Sequence, residues 1–195
     1  GAVTLTNDTL PSLTLGKNPL VMTNSNTELK VNHFDHHMYS TANNVTISGV
    51  KSGAETTLNG AISDSATTIT LTSGTNFDDT DGKYAPTDSG SIYYIKIGDE
   101  IISYTSISGN VITGALRNRQ STTATAHSNG ATVEFYMIHK VPLFEINKTH
   151  TDISNIGTDY YTVTLSTTPV VASGGDSSFG GTVVTATENA MYDVN

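Results

Sequence analysis

The sequence predicts an all-β protein, and three observations carry that prediction. Thr, Ser, Asn and Gly fill the chain while only 14% of its residues are charged, a balance that favours pleated strands and tight turns over amphipathic helices. Apolar residues alternate with a period of two in one segment after another, and no segment sustains a period of 3.6. At 195 residues the length allows one large β domain or two small ones.

In chain order, "NNVTISGV" (43–50) reads as a strand, and "ATTITLTS" sets Ile69 and Leu71 against threonines as a second. "NFDDTDGKYAPTDSGS" (76–91) is a long loop carrying Asp78, Asp79, Asp81 and Asp88. Its spacing is a poor calcium loop, because Lys83 falls where an oxygen ligand is needed and no acidic residue closes the loop, so a solvated acidic loop is expected.

"SIYYIKIGDEIISYTSISGNVITGALR" (91–117) holds the turn dipeptides Gly98-Asp99 and Gly109-Asn110 between strand-like runs, which predicts a three-stranded meander. Two-residue turns place Ile97 opposite Glu100, Ile95 opposite Ile102 and Tyr93 opposite Tyr104, giving one mostly apolar face. In the absence of a bulge, the second turn sets Arg119 opposite Glu100 and Arg117 diagonal to it, so a structural Glu–Arg pair across strands is expected. No second titrating partner that would make Glu100 catalytic is evident in the sequence.

Beyond the meander, "GATVEFYMI" alternates Val133 and Phe135 as a strand, and "PLFEINKT" (142–149) is the one candidate helical turn. "DYYTVTLSTTPVV" (159–171) is a strand, "ASGGDSSFGGT" (172–182) reads as a Gly/Ser loop, and "TVVTATE" is the last strand.

Charge and composition narrow the function. Net charge is −9 and the nine Lys and Arg are scattered, so no basic surface for nucleic acid is expected. No apolar run approaches the ~20 residues of a membrane-spanning helix, and the first residues lack the basic and apolar regions of a signal peptide; membrane insertion is not expected. Without cysteine there is neither a disulfide framework nor thiolate chemistry. The start, without Met and in mid-pattern, suggests processing or a segment of a longer chain.

The middle block then shows a specific pattern: Gly98, Asp99, Glu100, Tyr104, Thr105, Gly109, Asn110, Arg117, Thr122 or Thr123, His127, Gly130, Ala131 and Val133. It resembles a small β module recurring in structural proteins of tailed bacteriophages, marine cyanophages in particular. The flanks resemble a second phage module, in which a His-containing turn leads to a "VTISG" strand, a segment like "PLFEINKTHTDIS", a "YTVTL" strand and a glycine-rich loop. His36 matches the place of the turn histidine, whereas His37 stands where a glycine is common. In the uninterrupted module the "VTISG" strand lies close to the Asn-x-x-His segment, here Asn147 to His150, far downstream. The resemblance therefore implies two small β-sandwich or barrel domains, one inserted into a loop of the other: an outer domain of 1–55 plus 139–195 and an inserted domain of 56–138. It further implies a virion structural protein of tail, baseplate or fibre. His127 and His150 belong to these patterns as turn-packing residues, and His139 lies beside the expected junction.

"NHFDHHMYS" (32–40) admits three readings. His33, Asp35 and His37 alternate along an extended strand, where two imidazoles and a carboxylate suit a Zn²⁺-like ion. Alternatively, the imidazoles stabilise the loop through hydrogen bonds to backbone carbonyls or to Asp35, the reading taken forward. A third pairs His36 or His37 with "GGDSSFGG" (174–181), which superficially matches the Gly-Asp-Ser-Gly-Gly signature of chymotrypsin-like proteases. Ser178 stands where that signature has Gly, and too little chain follows Ser177 for that fold. The sequons at Asn7, Asn44 and Asn147 matter only in a eukaryotic secretory route.

No cofactor and no catalytic group are expected. Threonine-rich, lysine-poor strands suit packing against neighbouring subunits, so the expected partners are other virion proteins and copies of the chain itself. The alternative expectation is a module that binds a host receptor or surface glycan, in a fibre or a bacterial adhesin, with Tyr84, Tyr93, Tyr94, Tyr160 and Tyr161 as stacking platforms or ordinary strand packing.

Overall fold

A computed structural model describes residues 5–9, 11–34, 36, 43–77, 92–172 and 174–193. The fold is all-β, its one helical element among the described residues being a single 3₁₀ turn, Leu143–Glu145, within the expected helical segment. The acidic loop residues Asp78, Asp79, Asp81 and Asp88 lie outside the described residues, as does Tyr84. The chain divides into two compact units, Gly1–Val50 with Phe144–Asn195, and Lys51–Leu143.

The first unit contains two five-stranded antiparallel sheets. In one, Thr185–Asp193 pairs with Leu5–Thr9, Leu13–Thr14 and Asn44–Ser48, and the last of these also pairs with Thr149–His150. The other runs Ile153–Ser154, Tyr160–Thr164, Glu28–Asn32, Leu20–Thr23, Asp176–Phe179. Alternation decides what is buried: Val45, Ile47, Val184 and Ala186 point inward from the first sheet, and Leu20, Met22, Leu29, Val31, Tyr161 and Val163 from the second. A contact from His33, just beyond the end of one sheet, to Glu188 in the other places the two inner faces against each other.

One expectation fails here. Residues 172–182 contain a strand, Asp176–Phe179, paired with Leu20–Thr23, where a Gly/Ser loop was expected. Local composition argues for a loop, but a partner strand more than 150 residues away supplies the pairing, and burial of Phe179 anchors it.

The second unit closes a core of its own. A five-stranded sheet, ordered Leu116–Arg119, Glu100–Tyr104, Tyr93–Ile97, Thr132–Phe135, Glu55–Thr57, and a three-stranded sheet, ordered Ser106–Ser108, Val111–Thr113, Thr68–Thr70, contribute to it. Ile69, Ile112, Ile95, Ile102, Val133 and Phe135 meet there, with Phe77 edge-on to Phe135. A two-stranded ribbon, Met137–Ile138 with Val141–Pro142, follows the larger sheet.

The meander forms in the expected register through both turns. Ile97 lies opposite Glu100, Ile95 opposite Ile102 and Tyr93 opposite Tyr104, and Ser108 lies opposite Val111. Gly98 and Gly109 have φ of 58° and 57°, the left-handed geometry such turns demand. The register then slips by one residue: Leu116 still faces Ser103, but Arg119 faces Ile101. This bulge, with Asn118 at φ 49°, takes Arg119 away from the place opposite Glu100 that a regular ladder assigns to it.

Candidate functional site

Among the described residues of the second unit, a cluster of polar side chains surrounds Glu100, whose side chain is 1% exposed. Its carboxylate lies beside the bulge, so Arg117 rather than Arg119 reaches it. Arg117 forks onto it, Nε donating to Oε1 at 2.8 Å and Nη2 to Oε2 at 2.6 Å. His127 Nε2 lies 2.8 Å from Oε2. The backbone N–H groups of Asn118 and Thr125 donate to the two oxygens at 3.3 and 3.2 Å.

Arg117 has further acceptors in the carbonyls of Ser63 and Thr125. Nearby, the N–H of Ile101 donates to Thr122 Oγ1 at 3.1 Å. Segments around residues 63, 100, 117 and 125 are thus tied at one point.

Burial by itself raises the Glu100 pKa, but the bonds from Arg117, His127, Thr125 and Asn118 outweigh it and hold the group at about 2. Five donors occupy the roughly four lone-pair sites of a carboxylate, so Glu100 is ionised, saturated and unavailable for proton transfer at neutral pH. His127 is the partner that sequence reasoning missed. A lone histidine after a Thr-rich turn carries no marker of its target, since the isolated bridge between Ile62 and His127 that positions it is long-range.

In the first unit the histidine stretch is divided. His33 is buried, its Nδ1 3.3 Å from Glu188 Oε1 and 3.5 Å from the Tyr161 hydroxyl. His36 Nε2 donates to the Gly157 carbonyl at 2.8 Å, and its ring packs edge-on against Tyr161. Burial, then the negative charge of Glu188, push the Tyr161 phenol upward, which leaves it a donor and no base.

Asp35 and His37, the other two members of the expected metal set, lie outside the described residues. Among the described residues no three His, Cys, Asp or Glu side chains gather as a metal site. A small cavity of about 160 Å³, bordered by Leu13, Leu15, Asn32, His33 and Phe34, opens beside His33. Glu188 had a signal in the sequence: Val184, Ala186 and Glu188 alternate onto the inward face of the last strand.

Four further motif residues hold backbone. Tyr104 donates its hydroxyl to the Phe77 carbonyl at 2.9 Å. Asn110 accepts from the Gly74 N–H at 2.8 Å. The Asn147 amide makes two bonds to the peptide groups of Val50, each 2.9 Å. His150, wholly buried, donates from Nε2 to the Ile146 carbonyl at 3.0 Å. Ser177 sits in a paired strand opposite Met22, and neighbouring Asp176 accepts from the Thr23 hydroxyl at 2.7 Å. Asp176 and Ser177 of the Gly-Asp-Ser stretch therefore lie in a paired strand.

No protein-family model, curated protein or solved structure matches the chain.

Proposed function

We propose that this chain is a non-enzymatic structural subunit of a tailed bacteriophage particle. Its place is in the tail, baseplate or fibre, where it acts through contacts with copies of itself and with other virion proteins. One observation supports this reading above others: most of the polar residues of the phage-like pattern hold the fold. Glu100, Arg117, His127 and Thr122 tie loops to a strand, Tyr104 and Asn110 hold backbone near residues 72–77, and Asn147 clamps Val50. A motif whose polar groups are largely held by its own scaffold suits a module reused as a building block.

On this reading the second unit is a module inserted into a loop of the first. Ser52 Oγ donates to the Phe135 carbonyl at 2.5 Å, the Phe135 N–H to the Ala54 carbonyl at 2.9 Å, and the Leu143 N–H to the Tyr136 carbonyl at 3.0 Å, so the start and end of that unit meet at Phe135 and Tyr136, as insertion requires. Sedimentation velocity over a concentration series tests the assembly role. Association into a closed symmetric oligomer is expected; a strict monomer throughout the series contradicts it.

A further inference from the structure

The five-stranded sheet around Glu28–Asn32 buries one face and leaves the other polar. Thr162, Lys30, Val21 and Ser178 lie in one row across four strands, with Glu28 and the facing pair Thr23 and Asp176 flanking the row. They alternate with buried Leu29, Val31, Leu20, Met22 and Val163, so they share the outer face. There they line an open groove of about 420 Å³, inside the ~300–1,000 Å³ range of small-molecule sites.

Each charged group in the groove is braced from one side and open on another. Glu28 Oε1 accepts from Asn155 Nδ2 at 2.7 Å and from Ser154 Oγ at 3.3 Å, while Oε2 makes no hydrogen bond among the described residues. Asp176 Oδ1 accepts from Thr23 Oγ1 at 2.7 Å, and Oδ2 makes none among them. Lys30 Nζ rests 4.3 Å from the centre of the Tyr160 ring, a cation–π contact. Gly157 backs that ring so closely that any Cβ there would collide with it. Lys30 forms no ion pair among the described residues. The Ser178 hydroxyl likewise makes no hydrogen bond among them.

This set of groups favours one ligand chemistry over three others. An anion satisfies Lys30 and meets two carboxylates; a cation satisfies the carboxylates and meets Lys30. An apolar molecule leaves Glu28 Oε2, Asp176 Oδ2 and the Lys30 ammonium without a hydrogen bond. A ligand rich in neutral hydroxyls donates to Glu28 Oε2 and Asp176 Oδ2, accepts from Lys30, and does either with Ser178. We propose that the outer face of this sheet binds a neutral saccharide, held by Glu28, Lys30, Asp176 and Ser178. Because the three charged side chains are already braced, binding orders few of their rotamers and loses little entropy.

The test is a glycan array carrying neutral and acidic bacterial-surface saccharides, with hits titrated into the full chain and followed by amide chemical shifts. The expected result is binding of at least one neutral saccharide, with shifts on the strands Leu20–Thr23, Glu28–Asn32, Tyr160–Thr164 and Asp176–Phe179. Ser178→Arg, an exposed position where the new side chain fills the groove, and Lys30→Met each weaken binding at least about tenfold, the loss of one charge-assisted hydrogen bond or more. Circular dichroism and the thermal midpoint verify that both variants fold. Absence of any neutral binder, a preference for acidic saccharides, or binding unchanged in folded Ser178→Arg overturns the proposal. Saccharide binding and incorporation into particles are separate measurements, so the failure of one leaves the other standing.

Discussion

At the scale of the residue, Glu100 decides how the second unit responds to truncation and to acid. Arg117→Ala leaves a buried carboxylate without its main partner, and a loss of about 3–5 kcal/mol is expected in urea unfolding. Arg119→Ala, at an exposed position facing Ile101, changes stability little. A depressed carboxylate pKa contributes stability that is complete above its ordinary value of 4.5 and disappears as pH falls toward about 2; the full contribution is about 3 kcal/mol. His150 acts at higher pH. Burial first of all lowers its pKa below 6.5, against the bond to Ile146, so the unfolded chain takes up that proton first and stability begins to fall as pH drops through 6.5. His150 and Glu100 together contribute a plateau above pH 6.5 and a two-stage decline below it. In Glu100→Gln the lower stage flattens while stability at pH 7 drops; an unchanged lower stage counts against the Glu100 account. Glu134 has the opposite sign, since burial raises its pKa against the pull of Lys51 and Lys96, and Glu134→Gln should stabilise the protein at pH 7.

At the scale of the element, what was legible in the sequence was local. Gly98-Asp99 and Gly109-Asn110 specify their turns within a few residues, and alternation carries the register outward from them. The slip at Leu116–Arg119 was not legible, because a bulge follows from what Arg117 and the Asn118 N–H gain at Glu100, a contact outside the hairpin's own propensities. Asp176–Phe179 was misread for a related reason: Ser and Gly carry little strand preference, and its partner is at the other end of the chain. The position of Glu188 was legible and its contact with His33 was not, since nothing in a strand's period names the sheet it will face. Close approach of elements gives a further expectation. A Cβ at Gly74 falls inside contact distance of the Gly109 carbonyl oxygen, whereas one at Gly98 meets nothing and only suffers its φ of 58°. Gly74→Ala should therefore lower the thermal midpoint more than Gly98→Ala, which costs about 1 kcal/mol; the reverse order contradicts the packing described at that turn.

At the scale of the whole molecule, composition indicates the fold class and identifies no activity. A net charge of −9 and a threonine-rich, cysteine-free chain leave two β units stabilised by burial and pairing. Because the second unit has its own core and both its ends are hydrogen-bonded at Phe135 and Tyr136, residues 51–143 expressed alone should give a dispersed amide spectrum and one cooperative unfolding transition. A collapsed spectrum contradicts the reading of that unit as an inserted module. The functional reading is tested most directly by peptide mass spectrometry of density-gradient-purified phage particles from the source of this sequence. The account predicts peptides from both units, in stoichiometric proportion to other virion proteins and retained through the gradient. Peptides confined to the soluble lysate, with none in the particle band, would contradict it.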